Sequence, residues 1–99
     1  MTRRILIIHN PTAGKQRTTL LDGVVAALRA RGMPAEIVVT ERPGHATDLA
    51  HAADADLVVA AGGDGTINEV VHGLMTRGGP RPAFATLPLG TINVLALGM

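Results

Sequence analysis

The stretch Asp56-Leu57-Val58-Val59-Ala60-Ala61-Gly62-Gly63-Asp64-Gly65-Thr66-Ile67-Asn68-Glu69 decides how this sequence is read. Asp56 to Ala61 is short and apolar, the pattern of a strand buried on both faces. From Thr66 the pattern turns helical. Gly62, Gly63 and Gly65 remove Cβ atoms where strand becomes helix, which permits positive φ and a close approach to the backbone. Thr66 and Glu69 have capping-box spacing, which predicts reciprocal side-chain bonds at the helix start. The remaining N–H groups and the positive end of the helix dipole then face the glycine turn, a place that suits phosphate. A tight turn alone needs one glycine. Three, with Asp64 among them, point to a ligand.

Working outward, the pattern of strand then helix recurs. Arg4 to His9 reads as a first strand, closed by the Asn10-Pro11-Thr12-Ala13-Gly14-Lys15 loop. A helix follows from Thr18 to Arg31, with Leu20, Leu21, Val24, Val25 and Leu28 as its buried stripe and Gly32 and Pro34 as its stop. Gly23 weakens this helix and offers a place for close packing on the sheet. Glu36 to Thr40 is a second strand, and His45 to Ala53 an alanine-rich helix with Ala46, Leu49, Ala50 and Ala53 on one face. The helix from Thr66 to Arg77 has Ile67, Val70, Val71, Leu74 and Met75 as its core stripe, with Arg77 suited to the dipole at its end. Pro82 to Leu87 is a fourth strand, and Pro88 to Thr91 turns it into a last helix from Ile92. The alternation predicts an α/β fold, a parallel sheet with right-handed crossovers and helices on both faces.

Composition narrows the function. Ninety-nine residues make one small domain. The chain is 46% hydrophobic but only 1% aromatic, with Phe84 its single ring, so it lacks the stacking platforms of single-strand nucleic-acid binders. A net charge of +1 gives no electrostatic pull towards DNA. Cysteine is absent, which leaves no disulfide framework and no thiolate metal site. Arg3-Arg4 precedes only four strongly apolar residues, too few for a signal peptide, and no run is long enough to span a bilayer. The chain reads as soluble.

In a parallel sheet, ligands bind outside the carboxyl ends of the strands. The loops expected there are all polar: Asn10 to Lys15, Thr40, Gly62 to Thr66, and Gly90 to Asn93. A Walker A loop would need Gly at position 9 and Ser or Thr at 16, where His9 and Gln16 stand. The Rossmann fingerprint would need Gly at 68, where Asn68 stands. Asp64 has two readings. Beside a triphosphate an Asp commonly works through Mg²⁺, and Asp-Gly is also a common turn former. Thr66, Asn68 and Thr91 can cap helices or bond phosphate oxygens, and Lys15 can pair with phosphate or lie idle at the surface. His45, Asp48 and His51 are spaced too far around a helix to converge on a metal. His9 and His72 stand alone, with surface or satisfied local roles.

Taken together, Asn10 to Lys15, Thr40 with Gly44-His45-Ala46, Gly62 to Val70, and Pro88-Leu89-Gly90-Thr91-Ile92-Asn93 resemble the diacylglycerol kinase catalytic-domain family, which includes bacterial lipid kinases and sphingosine kinases. NAD kinases and phosphofructokinases carry a similar glycine-Asp motif. The Asn10-Pro11 and Pro88-Leu89-Gly90-Thr91 loops favour the lipid-kinase branch. The resemblance covers nearly the whole chain. It implies a Rossmann-like sheet, as in the N-terminal domain of NAD kinases and diacylglycerol kinases, and ATP-dependent phosphoryl transfer to the hydroxyl of diacylglycerol or a related lipid. It implies ATP and Mg²⁺ as cofactors, with Asn10, Thr40, Gly62, Gly63, Asp64, Gly65, Thr66, Ile67, Asn68 and Thr91 lining the nucleotide site. Asp64 would organise the phosphate and Mg²⁺ network, the catalytic position on this chain. Members often have Asp where this chain has Val94 after Asn93. They are also longer, and a second, β-rich domain supplies much of the lipid site and the general base. Residues 1–99 are therefore expected to be a truncated N-terminal ATP-binding domain that cradles nucleotide without transferring phosphate by itself. The implied setting is cytoplasmic, with peripheral membrane contact, a lipid substrate held through the missing domain, compatibility with a homodimer, and no nucleic-acid partner. An NAD kinase-like enzyme and a non-catalytic nucleotide-binding module are the alternatives.

Overall fold

A computed structural model describes residues 3–11 and 16–88, with side chains at 3–11 and 20–87. The expectations for Thr12 to Lys15, Leu89 to Asn93 and the last helix lie outside these residues. Among the described residues the elements are β1 (Ile5–His9), α1 (Gln16–Ala30), β2 (Ala35–Val39), α2 (His45–Ala52), β3 (Leu57–Gly62), α3 (Asp64–Thr76) and β4 (Ala83–Pro88).

The strands form one parallel sheet in the order β2-β1-β3-β4. The apolar runs that read as strands are β-branched and alternate between two cores. Ile8, Val58 and Ala60 meet Ala46 and Ala50 of α2 and Val70 and Leu74 of α3 on one face. Ile5, Ile7, Val59 and Ala61 meet Leu21 of α1 on the other, with Val24, Val25 and Leu28 packed against them. Fully burying a residue such as Ile7, Ile8, Leu21, Val58 or Val70 contributes about 1.5–3 kcal/mol. The step from β1 to β2 runs under α1, and the steps from β2 to β3 and from β3 to β4 run the opposite way over the other face. All three crossovers thus share one hand. The order of connection reverses between β1 and β3, which makes their carboxyl ends the switch point of the sheet.

Three details depart from the sequence reading. Leu20, Val71 and Met75 are exposed, so the buried stripe of α3 is Thr66, Val70, Gly73 and Leu74 instead. A helix resting on one sheet face buries one stripe, and positions 71 and 75 fall beside it. Gly23 is exposed with nothing near it, and the glycine that permits close helix packing is Gly73. A Cβ on Gly73 would lie 2.3 Å from the Thr47 carbonyl oxygen and 2.9 Å from Ala50 Cβ. Arg77 serves α2 rather than its own helix, donating from its guanidinium to the Ala50 carbonyl at 3.1 Å.

The contact of α2 with α3 gives a direct test. Gly73→Ala is expected to lower unfolding free energy by about 2–3 kcal/mol in urea melts, since a backbone oxygen cannot swing aside as a flexible side chain can.

Candidate functional site

The strand β3 becomes the helix α3 through one residue. Gly63 is the N-cap, in extended conformation at φ −88° and ψ −170°, and its carbonyl accepts the Ile67 N–H at 3.1 Å. No side chain caps the helix. The capping-box expectation for Thr66 and Glu69 is therefore wrong by three residues. Glycine tolerates the N-cap position, so the helix starts at Asp64 and Thr66 falls inside its first turn. Thr66 is 4% exposed and folds back on the strand end. A Cβ on Gly62 would stand 2.7 Å from Thr66 Oγ1 and 3.0 Å from its Cβ.

The expected positive φ is absent from this turn. Among the described residues, left-handed glycines occur at Gly32, Gly44 and Gly79. Gly62 is required by Thr66. Gly63 and Gly65 are different: both are exposed, and among the described residues, their chain neighbours and own helix backbone aside, no atom lies within 4 Å of where their Cβ would sit. Packing among the described residues does not ask for glycine at either place. The first-turn N–H groups beside them have no intrahelical partner, because the helix geometry supplies none. Asp64 is exposed and is the acidic residue of that turn.

The same edge collects the other loops. Paired residues Val39, His9, Ala61 and Leu87 form one row across the sheet. Asn10 N–H donates to the Ala61 carbonyl at 3.1 Å, and Thr40 N–H donates to the His9 carbonyl at 2.8 Å. These bonds place Asn10 and Thr40 beside the glycine turn. A cavity of about 420 Å³ lies there, lined by Asn10, Thr40 and Thr66 among the expected residues. It is also lined by Pro11, by Glu41, Arg42 and Pro43 after β2, and by Ala46 and Glu69. Glu69 shares a helix face with Thr66 by its i+3 spacing, the signal that was read as capping. Glu41 to Pro43 follow the end of a strand, which places them at this edge. Arg42 pairs with Asp48 at 3.0 Å, and the Glu41 N–H donates to His45 Nδ1 at 2.9 Å, so this loop is tied to the start of α2.

Ile67 packs against the core, so only its main chain is available to a ligand. Asn68 is exposed, and Thr91 lies outside the described residues. His9 is neither at the surface nor fully satisfied. It is 2% exposed, its Nδ1 lies 3.2 Å from the Ala61 carbonyl oxygen, and its buried Nε2 has no partner among the described residues. A buried polar atom left unpaired costs about 1–3 kcal/mol.

A larger hollow, about 840 Å³, opens at the amino edge beside Arg4, Asp22, Arg29, Glu36 and Asp54. Its size does not make it the better site. The Arg4 guanidinium is engaged there with Asp54 at 2.5 Å, and the Arg4 main-chain N–H donates to Asp56 at 2.7 Å. The amino edge also lacks the helix start that the carboxyl edge presents. Among the described residues no group of three His, Asp or Glu side chains is placed to hold a metal, and no helix is long and apolar enough to cross a membrane.

The profile of the diacylglycerol kinase catalytic domain matches residues 4–99. The chain is 45% identical over 92 residues to a diacylglycerol kinase of Staphylococcus haemolyticus, covering 88% of this chain and 27% of that one. It is 40% identical over 98 residues to that of Staphylococcus saprophyticus, covering 94% and 32%. The crystal structure of a diacylglycerol kinase from Bacillus anthracis superposes with a TM-score of 0.75 at 36% identity, over 92% of this chain and 34% of that one. The chain thus spans about a third of the length of these proteins.

Crowding at the strand end predicts a stability effect. Gly62→Ala should cost about 1–3 kcal/mol in urea melts. The double variant Gly62→Ala with Thr66→Ala should recover part of it, giving a measurable coupling between the two positions.

Proposed function

The chain belongs to the diacylglycerol kinase catalytic domain family, and we propose that it is the nucleotide-binding part of an ATP-dependent lipid kinase. The observation that carries this reading is the bare start of α3. Gly63 and Gly65 are glycines that no packing among the described residues requires, beside first-turn amides that a helix leaves without intrahelical partners and that no N-cap side chain covers. A phosphate group explains both at once, because it needs N–H donors and room to approach them.

The roles follow from position. The main chain of Gly63 to Thr66 binds phosphate oxygens. Asn10 and Thr40, held beside the turn by main-chain bonds to β3 and β1, line the space next to it. Asp64 stands exposed in the same first turn, within reach of a metal ion held by those phosphates. Mg²⁺ often takes only one or two protein carboxylates, with phosphates and water completing its shell, so a single exposed Asp fits that ion. Bound with the nucleotide, Mg²⁺ would neutralise charge on the transferring phosphoryl group. The reading assigns the lipid pocket and the general base to residues outside this chain, in keeping with its one-third share of its relatives' length. The setting this reading implies is the cytoplasm, with peripheral contact to the membrane that carries the lipid.

Three measurements test the reading. Gly63→Ala and Gly65→Ala should weaken Mg-ATP binding at least about 10-fold in titration calorimetry, with urea melts within about 0.5 kcal/mol of the unmodified chain or better. Binding that survived both substitutions would contradict it. In the complete protein, Asp64→Asn should lower diacylglycerol phosphorylation about 100-fold or more with the fold retained. Phosphorylation of NAD in place of lipid would move the protein to the alternative branch.

A further inference from the structure

We propose that His9 is a positioning residue for the nucleotide site, fixing the peptide that leads into the glycine turn. The inference rests on the reading of that turn as the phosphate site. His9 ends β1 as the only polar side chain in an otherwise aliphatic strand, Ile5-Leu6-Ile7-Ile8-His9. An aliphatic residue would fill the space equally well. What the imidazole adds is a donor.

The acceptor is the Ala61 carbonyl, at 3.2 Å from Nδ1. That oxygen also receives the Asn10 N–H at 3.1 Å. Both of its lone pairs are thus taken by donors from the β1 side. The Ala61 carbonyl and the Gly62 N–H belong to one planar peptide, so holding the oxygen orients the last strand peptide, the one that leads into the turn. Asn10 opens the other loop that lines the cavity. One oxygen therefore ties both loops of the switch point together, and the His9 ring supplies half of the tie. A carbonyl can only accept, so Nδ1 carries the proton and Nε2 remains an acceptor, without a partner among the described residues.

The test uses the full chain, with Mg-ATP as the probe. His9→Leu should weaken binding in titration calorimetry by about 5- to 10-fold, the loss of one buried hydrogen bond, with an unchanged circular dichroism spectrum. His9→Asn, whose side-chain amide can reach the same carbonyl, should recover most of the affinity. Long-range ¹H–¹⁵N spectra of the ligand-free chain should show His9 as the Nδ1–H tautomer. Unimpaired binding by His9→Leu, an equal loss in both variants, or the Nε2–H tautomer would each overturn the inference while leaving the nucleotide reading intact. Should His9→Leu fail to fold, His9→Asn and the tautomer decide. Failure of the unmodified chain to bind Mg-ATP would overturn the nucleotide reading and this inference with it.

Discussion

Gly62 has room for a hydrogen and for nothing larger. Thr66 folds back onto it so closely that any side chain there would collide with the threonine hydroxyl. This contact lets β3 turn into α3 through a single extended residue, Gly63, with no side-chain cap. The tightness of the turn decides what the carboxyl edge looks like. It brings the helix start directly to the end of a central strand, with its first amides exposed and its dipole directed at the gap between β1 and β3.

The remainder of the structure supports that placement. The two cores clamp β1 and β3 from both faces, and these central strands carry the Asn10 loop and the turn itself. The close contact at Gly73 locks α3 against α2 and so fixes the direction of its N-terminus. The ladder ends in bonds that hold Asn10 and Thr40 at the same edge. Stability and site are thus parts of one arrangement, yet they make different demands on glycine. Gly62 and Gly73 are forced by the protein's own atoms. Among the described residues nothing forces Gly63 or Gly65, and this difference is what supports the proposed phosphate site.

Much of this could be read from the residues. Apolar runs of strand length alternating with helical stripes gave the parallel sheet with helices on both faces, and placed the glycine turn at the carboxyl edge of its central strand. Element ends moved by one or two residues, as expected where chain direction is set by tertiary contact. The start of α3 was misplaced because Thr66-x-x-Glu69 has the form of a capping box. Which residue caps depends on where the strand ends, and that is set by pairing with β4 through Gly62 and Pro88. Val71 and Met75 looked like core because their helix carries more apolar residues than one sheet face can cover. Arg42 and Glu69 were missed although each had a signal, Arg42 its place after a strand end and Glu69 its i+3 spacing from Thr66, which has the form of a capping box. His9 was dismissed as isolated, although its place at the end of an apolar strand already argued for burial.

The central claim is that phosphate rests on main-chain amides at the start of α3. The most direct measurement is a Mg-ATP titration followed by amide ¹H–¹⁵N correlation spectra of the chain. The account predicts that the largest shifts fall on Gly63, Asp64, Gly65 and Thr66, with Asn10 and Thr40 next. Largest shifts at the opposite rim, around Arg4, Asp22 and Asp54, with residues 62 to 66 unmoved, would contradict it.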